Sequence, residues 1–451
     1  IKQNKIKEAQ KIFLHIKKHY QKEYSLAVDI IQITLEWAGG NRSNAIKLSE
    51  ILIEKYPTSP YAWLTLAKYR LANLDVDNVR RPIIKAYVLF KKVLGKYDVE
   101  LNEIFLVLYR YYRITKNYKV LLNLMKKWKR ISPYDPEPKY YLFETYLAMK
   151  NYKKGFTLYK YRYAEHKLLV TKLEKIKEIK KWDGQVSFNR LLIQSEQGIG
   201  DVLMQLRVLK EIKNIKNFEI NVDPRMIDII HRYFDVPVND MNELIQTSDL
   251  KKQIERFDYY IELGDFFEMF FRNNKKFEYD SKVIKADVNR NAYYKEKFYD
   301  NDKINIGISW ATKMGRGQQT NLKKSDIDLL INQEKFNVMD LQYPYEGLDY
   351  FDGITKTDCV DKYNDINAFV DLMSCLDLVI SIDNSTIHFA GSLGIESYLL
   401  LGQGCDWRWG DTGESTIWYD TVSIYRQSES NNFNQQISRI INDIKMKHIK
   451  K

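Results

Sequence analysis

Long apolar runs are missing from this 451-residue sequence: no stretch of about eighteen uncharged apolar residues occurs, so no membrane-spanning helix is expected. Cysteine is scarce. Cys359, Cys375 and Cys405 are scattered and odd in number, with no Cys-x-x-Cys spacing and no Cys/His cluster. That excludes a recognisable structural zinc site and a disulfide framework, and a reducing cytoplasm, with the inner membrane surface as a variant, is the expected compartment. Also absent are a Walker loop, an HExxH helix and a Ser-His-Asp order, which removes support for P-loop ATPase, zincin and hydrolase readings. No Asp-x-Asp metal motif stands at a suitable strand end; Asp75-Val-Asp77 lies in a helical region. The sequence starts without Met and without a signal-like apolar stretch, which leaves a removed targeting segment open.

What is present is unevenly divided. Residues 1–180 carry 37 Lys+Arg against 17 Asp+Glu, or +20; the remainder carries 34 against 42, or −8. A basic first part and an acidic second part do not read as one mixed domain. Nucleic acid is one reading of the basic part, but its lysines fall at helical spacing between core residues, so a solvated helical face is favoured and no nucleic acid is expected.

Residues 1–181 read as an α-helical solenoid. Ala45, Leu48, Ile51 and Leu52 repeat at i, i+3, i+4 spacing, and Pro57-Thr-Ser-Pro60 stops that helix before Tyr61-Ala-Trp63 opens another. Pro133-Tyr-Asp-Pro136 repeats the punctuation. Asn117-Tyr118-Lys119 recurs as Asn151-Tyr152-Lys153, 34 residues on, the period of tetratricopeptide (TPR) helix pairs, although residues 73–100 depart from it.

Past Trp182-Asp-Gly184 the pattern changes to alternating strands and helices. Strands are expected at 190–195, 218–223, 257–263, 304–310, 336–342, 377–383, 397–402 and 421–426. Helices are expected at 200–213, 224–234, 325–333, 365–375, 386–394 and 433–447, which implies parallel sheets covered on both faces. The polar stretch 289–303 reads as a linker, giving domains at 182–295 and 296–451.

Two strand-turn-helix junctions carry the chemistry. Glu196-Gln197-Gly198-Ile-Gly200-Asp201 follows one apolar strand; Asp383-Asn384-Ser385-Thr386-Ile-His388 follows another. Strand ends that feed helix N-termini are where α/β proteins hold phosphates, because free N–H groups and the helix dipole point outward there. Gly198 and Gly200 allow close backbone approach. Asp201 is a candidate general base, with helix capping as the competing role. Glu196 is either a sugar ligand or a loop brace. Asn384, Ser385, Thr386 and His388 offer donors to a diphosphate, while Asp383 holds the loop or meets a donor sugar. Trp407 and Arg408 suit stacking and phosphate pairing, with core packing as the alternative for the tryptophans.

Gly155-Phe, Tyr161-Arg-Tyr163, Trp182-Asp-Gly184 and Glu196–Asp201 together resemble the joint of bacterial TPR-fused glycosyltransferases related to glycosyltransferase family 9, the heptosyltransferases. Ile308-Ser-Trp310, Asp340-Leu-Gln342, Asp377–Asp383, His388-Phe-Ala-Gly391, Asp406-Trp-Arg-Trp409 and Trp418-Tyr419 extend the resemblance over about residues 155–430. It implies a GT-B fold, two Rossmann-like domains facing a cleft, with no cofactor and no catalytic metal. It also implies Asp201 as base and Asp383–His388 as the donor-phosphate loop. Thr312, Lys313, Arg316 and Gln342 are implied near the donor, although Lys313-Met-Gly-Arg316-Gly317 departs from the family pattern and leaves the phosphate partner open among Lys313, Arg316 and Lys323.

Two readings follow. One is an inverting glycosyltransferase that uses a nucleotide sugar, UDP-linked favoured, and modifies a protein or glycan acceptor recruited by the helices. The other is a TPR scaffold with an inactive, nucleotide-binding GT-B unit. Homo-oligomerisation through the helical repeats is an open expectation.

Overall fold

A computed structural model describes residues 2–20, 24–93, 101–164, 178–212, 215–242, 255–272, 276–312, 321–402, 406–427 and 432–449. The chain divides into two compact units, Ile1–Met149 and Lys150–Lys451.

The first unit is helical: α1 (Lys2–Tyr20), α2 (Ser25–Ala38), α3 (Arg42–Lys55), α4 (Pro60–Ala72), α5 (Val76–Val93), α6 (Leu101–Ile114), α7 (Tyr118–Ile131) and α8 (Glu137–Ala148). Small and branched residues at the expected spacing, among them Ile33, Ala45, Leu52 and Ala62, form a buried cluster. The turns show the period. Gly40, Leu74 and Lys116 hold positive φ of 92°, 60° and 54°. The N–H after each reaches back to close the preceding helix: Asn41 to the Glu36 carbonyl at 2.9 Å, Asp75 to Arg70 at 2.9 Å and Asn117 to Tyr112 at 3.0 Å. From Gly40 to Leu74 is 34 residues and from Leu74 to Lys116 is 42, so the departure expected over 73–100 is an insertion of eight. The Asn117 side chain accepts from the Val120 N–H, and Asn151, in the second unit, does the same for Lys154. The recurring Asn-Tyr-Lys is thus a helix-capping signature.

The second unit opens with α9 (Tyr152–Phe156) and a 3-10 turn over Tyr159–Ala164. Phe156 stacks on Phe271 at 4.6 Å, and Tyr159 lies 5.2 Å from Phe267. These aromatic contacts draw residues 152–164 into the α/β unit, so the division at Met149 falls earlier than the boundary expected near Lys181.

Two wholly parallel sheets follow. In chain order the first holds β1 (Leu191–Gln194), β2 (Phe218–Val222), β3 (Val238–Asp240) and β4 (Tyr259–Glu262), arranged β3-β2-β1-β4. The second holds β5 (Ile304–Ser309), β6 (Phe336–Asp340), β7 (Leu378–Ile382), β8 (Glu396–Leu401) and β9 (Val422–Arg426), arranged β6-β5-β7-β8-β9. β1 and β7 are buried along their whole length, as strands covered on both faces must be. The helices used below are α10 (Ile199–Glu211), α11 (Ile227–Phe234), α12 (Phe266–Arg272), α13 (Val288–Phe298), α14 (Lys324–Ile331), α15 (Ile366–Met373), α16 (Ser385–Leu393) and α17 (Asn434–Ile444).

The segment expected as a polar linker is largely the helix α13. Asp287 caps it by accepting from Asn289 and Arg290 N–H, and it docks on α15 through Asn291 to Ser374 at 2.7 Å and Arg290 to Asp371 at 3.2 Å. The two sheets do not separate as compact units. Ser281 Oγ donates to the Gly391 carbonyl at 3.0 Å, and the Val283 N–H donates to the Ser392 carbonyl at 3.0 Å. Arg207 on α10, 1% exposed, pairs with Asp420 at 3.3 Å.

Candidate active site

Both glycine-rich and polar turns stand at the carboxyl ends of central strands, one per sheet. After β1 the N-cap of α10 is Gly198, and Asp201 lies inside the first turn, so Asp201 does not take the capping position. Its Oδ1 accepts from Arg408 Nε at 2.7 Å and also from Arg408 Nη2. Arg408 belongs to the 3-10 turn Trp407–Trp409, capped by Asp406. Its Nη1 donates to Asp406 Oδ1 at 2.6 Å, its guanidinium lies 4.6 Å from the Trp407 ring, and its carbonyl accepts from Trp418 Nε1 at 2.6 Å. Charge-assisted bonds of this kind join the helix after β1 to the loop after β8.

The second turn follows β7. The Asn384 side chain is committed to the loop: Oδ1 accepts from the Thr386 N–H and Ser381 Oγ, both at 3.0 Å, and Nδ2 donates to Ser309 Oγ at 2.8 Å. It caps α16 and ties it to the end of β5. Thr386 is fully buried, and its Oγ1 has no hydrogen-bond partner. His388 is also buried, with Nδ1 2.8 Å from the Tyr419 hydroxyl. Burial, then the positive charge of Arg408, depress its pKa to about 3, so the ring is neutral. Asp383 accepts from Trp409 Nε1 at 2.7 Å; burial, reinforced by the Asp406 carboxylate, pushes it up to about 6. Gly200 earns its place here, because a Cβ there would sit 2.8 Å from His388 Cδ2. Gly198 has no such neighbour, its nearest contact being Asp201 Oδ2 at 3.9 Å.

Glu196 sits in an ionic knot. Buried Arg162 meets Glu196 at 3.2 Å, Glu262 at 2.7 Å and Asp265 at 3.0 Å, and Lys181 meets Glu262 at 3.0 Å and Asp265 at 2.7 Å. Three carboxylates share two cations. Burial, opposed by Arg162 but aided by Asp265 and Glu262, pushes the Glu196 carboxyl up to about 8. It therefore carries the surplus proton near neutral pH, and its Oε2 is unpartnered. Gln197 accepts from the Tyr159 hydroxyl at 3.0 Å.

A cavity of about 350 Å³ lies between the ends of the two sheets, touched by Glu196, Gln197, Gly198, Ser385, Arg225 and Lys362. Sequence reading missed the last two. Arg225 is held by Asp223 and stacks 4.9 Å over Tyr363; Lys362 pairs with Asp340 at 3.0 Å. Isolated basic residues outside any glycine-rich turn carry no signal in the sequence.

Other expected donor residues are braced from below. Gln342 Oε1 accepts from Ser309 Oγ and from the Trp310 and Ala311 N–H groups at 2.8–3.1 Å, which shapes the loop after β5 rather than presenting its carboxamide. Thr312 is buried, and its N–H donates to Asn321 at 2.9 Å. Lys323 caps α14. Lys313 and Arg316 lie outside the described residues. Trp407 packs among Phe156, Tyr159 and Trp418, the core role. Among the described residues no cluster of His, Cys, Asp and Glu is placed to hold a metal ion, and no helix is long and apolar enough to cross a membrane.

No family model matches the chain. Among curated proteins it is similar to Protein FlbA of Caulobacter vibrioides, 23% identical over 269 residues, covering 54% of this chain and 44% of that protein. The chain thus spans less than half the length of this relative. Among solved structures it is similar to a glycosyl transferase family 9 protein from Veillonella parvula, with a TM-score of 0.41, 10% identity and coverage of 57% of this chain and 89% of that one. It is also similar to the iron-containing dodecameric glycosyltransferase TibC from enterotoxigenic E. coli, with a TM-score of 0.35, 11% identity and coverage of 59% and 77%.

Proposed function

We propose that the protein is an inverting, metal-independent glycosyltransferase that moves a sugar from a nucleotide sugar, UDP-linked favoured, to a protein or cell-surface glycan. One observation carries this reading: the glycine-rich turn after β1, from Glu196 to Ile199, and Ser385 at the start of α16 line one cavity, and Arg408 pairs with Asp201 in the first turn of the helix that follows that turn. The acceptor oxygen attacks the anomeric carbon, and the bond from that carbon to the diphosphate breaks with its electron pair leaving on the phosphate. The acceptor proton passes to Asp201. The N–H groups at the start of α16, with buried Thr386 Oγ1, meet the negative charge that develops on the leaving group. Neutral His388 serves as a hydrogen-bond partner rather than a cation. In this reading residues 182–295 form the acceptor side, residues 296–451 form the donor side, and the basic helical unit recruits the acceptor.

Calorimetry with UDP, ADP and GDP on protein treated with EDTA and checked for bound iron tests the donor site. A nucleoside diphosphate should bind without metal; no binding by any of the three would remove the donor assignment. Asp201→Asn should lower kcat by about 10²-fold or more, the scale of lost general-base catalysis. A second reading, a nucleotide-binding scaffold without turnover, draws support from the Arg408 ion pair that already engages Asp201. Diphosphate binding with no sugar transfer to any acceptor would favour it.

A further inference from the structure

A carboxylate oxygen that accepts two N–H bonds from one guanidinium has its lone pairs committed to that pairing. That is the state of Asp201. The guanidinium that holds it is not built in like the internal arginines of this region: Arg408 keeps 19% side-chain exposure and Asp201 17%, against 1% for both Arg162 and Arg207. Arg408 also has its partners placed asymmetrically. Asp406 is fixed by accepting from the Arg408 backbone N–H at 3.1 Å, so the turn survives if the side chain swings. The next residue, Trp409, is pinned to Asp383 at the end of β7 and lies 5.1 Å, ring to ring, from His388. The residue beside Arg408 is therefore tethered near the start of α16, where Thr386 Oγ1 is buried without a partner, and the Arg408 charge is felt at Asp383 and His388.

Resting on the donor site proposed above, we propose that Arg408 is shared in competition between Asp201 and the donor diphosphate. A diphosphate seated at Asn384–Thr386 presents the planar guanidinium fork with oxygens of higher total charge than one carboxylate, and it takes the guanidinium. Asp201 is then released to accept the acceptor's proton. The base becomes available only when the leaving group is in place, so donor binding precedes acceptor chemistry.

Linkage gives a sign that a merely structural ion pair would not. If Asp201 competes with phosphate for Arg408, removing its charge must tighten diphosphate binding, since couplings between such sites are commonly 5-fold or more. The test is calorimetry on the full chain with UDP, ADP and GDP, using the parent, Asp201→Asn, Arg408→Gln, Arg408→Lys and the Asp201→Asn/Arg408→Gln double variant, with melting curves for each. Asp201→Asn should bind the preferred diphosphate about 5-fold tighter, Arg408→Gln should bind it at least 5-fold more weakly, and Arg408→Lys should recover part of that loss. In the double variant the Asp201 substitution should have no further effect. Should Arg408→Gln fail to fold, Asp201→Asn decides by itself. Unchanged or weakened binding by Asp201→Asn, with a parent that does bind, overturns the competition and leaves the donor site standing. Binding by neither protein overturns both.

Discussion

Gly200→Ala is the sharpest small perturbation of the site. The new methyl would lie 2.8 Å from His388 Cδ2 and 3.2 Å from Cγ, whereas carbon pairs rest at about 3.5–4.0 Å. The ring cannot retreat freely, since its Nδ1 is bonded to Tyr419. Tyr419 in turn is wedged against Gly391, where a Cβ would sit 2.4 Å from its ring. Overpacking of this kind costs about 1–3 kcal/mol. Alanine returns up to about 1 kcal/mol of helix propensity, so a net loss of roughly 1 kcal/mol is expected. For a unit as long as Lys150–Lys451, at about 2.1 cal/mol/K of unfolding entropy per residue, that lowers Tm by roughly 1.5 °C. The larger effect is on chemistry: displacing His388 and α10 by a fraction of an ångström moves Asp201, and such misplacement costs up to about 10²-fold in kcat. Gly198→Ala is the matched control, with nothing closer than 3.9 Å. Calorimetric melting and initial-rate kinetics on both variants measure this. If Gly200→Ala is as stable and as active as Gly198→Ala, the close contact does not govern the site.

Glu196→Gln should flatten one part of the pH–stability curve. The folded carboxyl, raised to about 8, keeps a proton that the unfolded chain releases near its ordinary 4.5. Its contribution is complete below about 4.5 and is lost as pH rises through 8. Between pH 6.5 and 8.5 the parent's Tm should fall and that of Glu196→Gln should fall less; equal slopes would refute the assignment. Removing residues 1–149 should leave diphosphate affinity intact while lowering kcat/KM for a macromolecular acceptor. Unchanged kcat/KM would show that the helices do not recruit substrate. Added salt should weaken acceptor binding by the full chain, because its helical part is basic; salt-independent binding would argue for an apolar interface.

The α/β architecture was readable because parallel strands buried on both faces appear as apolar runs. All eight expected strands exist, within one or two residues at each end. β3 escaped because three half-buried residues make no run. α13 was misread because Tyr294 is its buried side chain amid charged neighbours. α12, Phe-Phe-Glu-Met-Phe-Phe-Arg, is nearly apolar all round and shows no 3.6 period. At the site, local sequence exposed the two turns, but roles set by distant partners stayed hidden. Glu196 owes its proton to burial and to the distant Asp265 and Glu262 carboxylates, against the pull of Arg162. Asp201 is engaged by a residue 207 positions away. Asn384 and Gln342 carry donor-type side chains whose bonds turn inward to brace loops.

The uneven spacing of the left-handed turns at Gly40, Leu74 and Lys116 bears on how the chain can change over time. In an array whose members touch their immediate neighbours, stability is nearly a sum of local terms. Eight extra residues after Leu74 left the closing bond at Asn117 the same as those at Asn41 and Asp75. Length is thus an adjustable trait of the helical unit. Whole helix pairs can be gained, lost or stretched at these turns without altering the sequence of the α/β unit, so the two units are free to change on separate clocks.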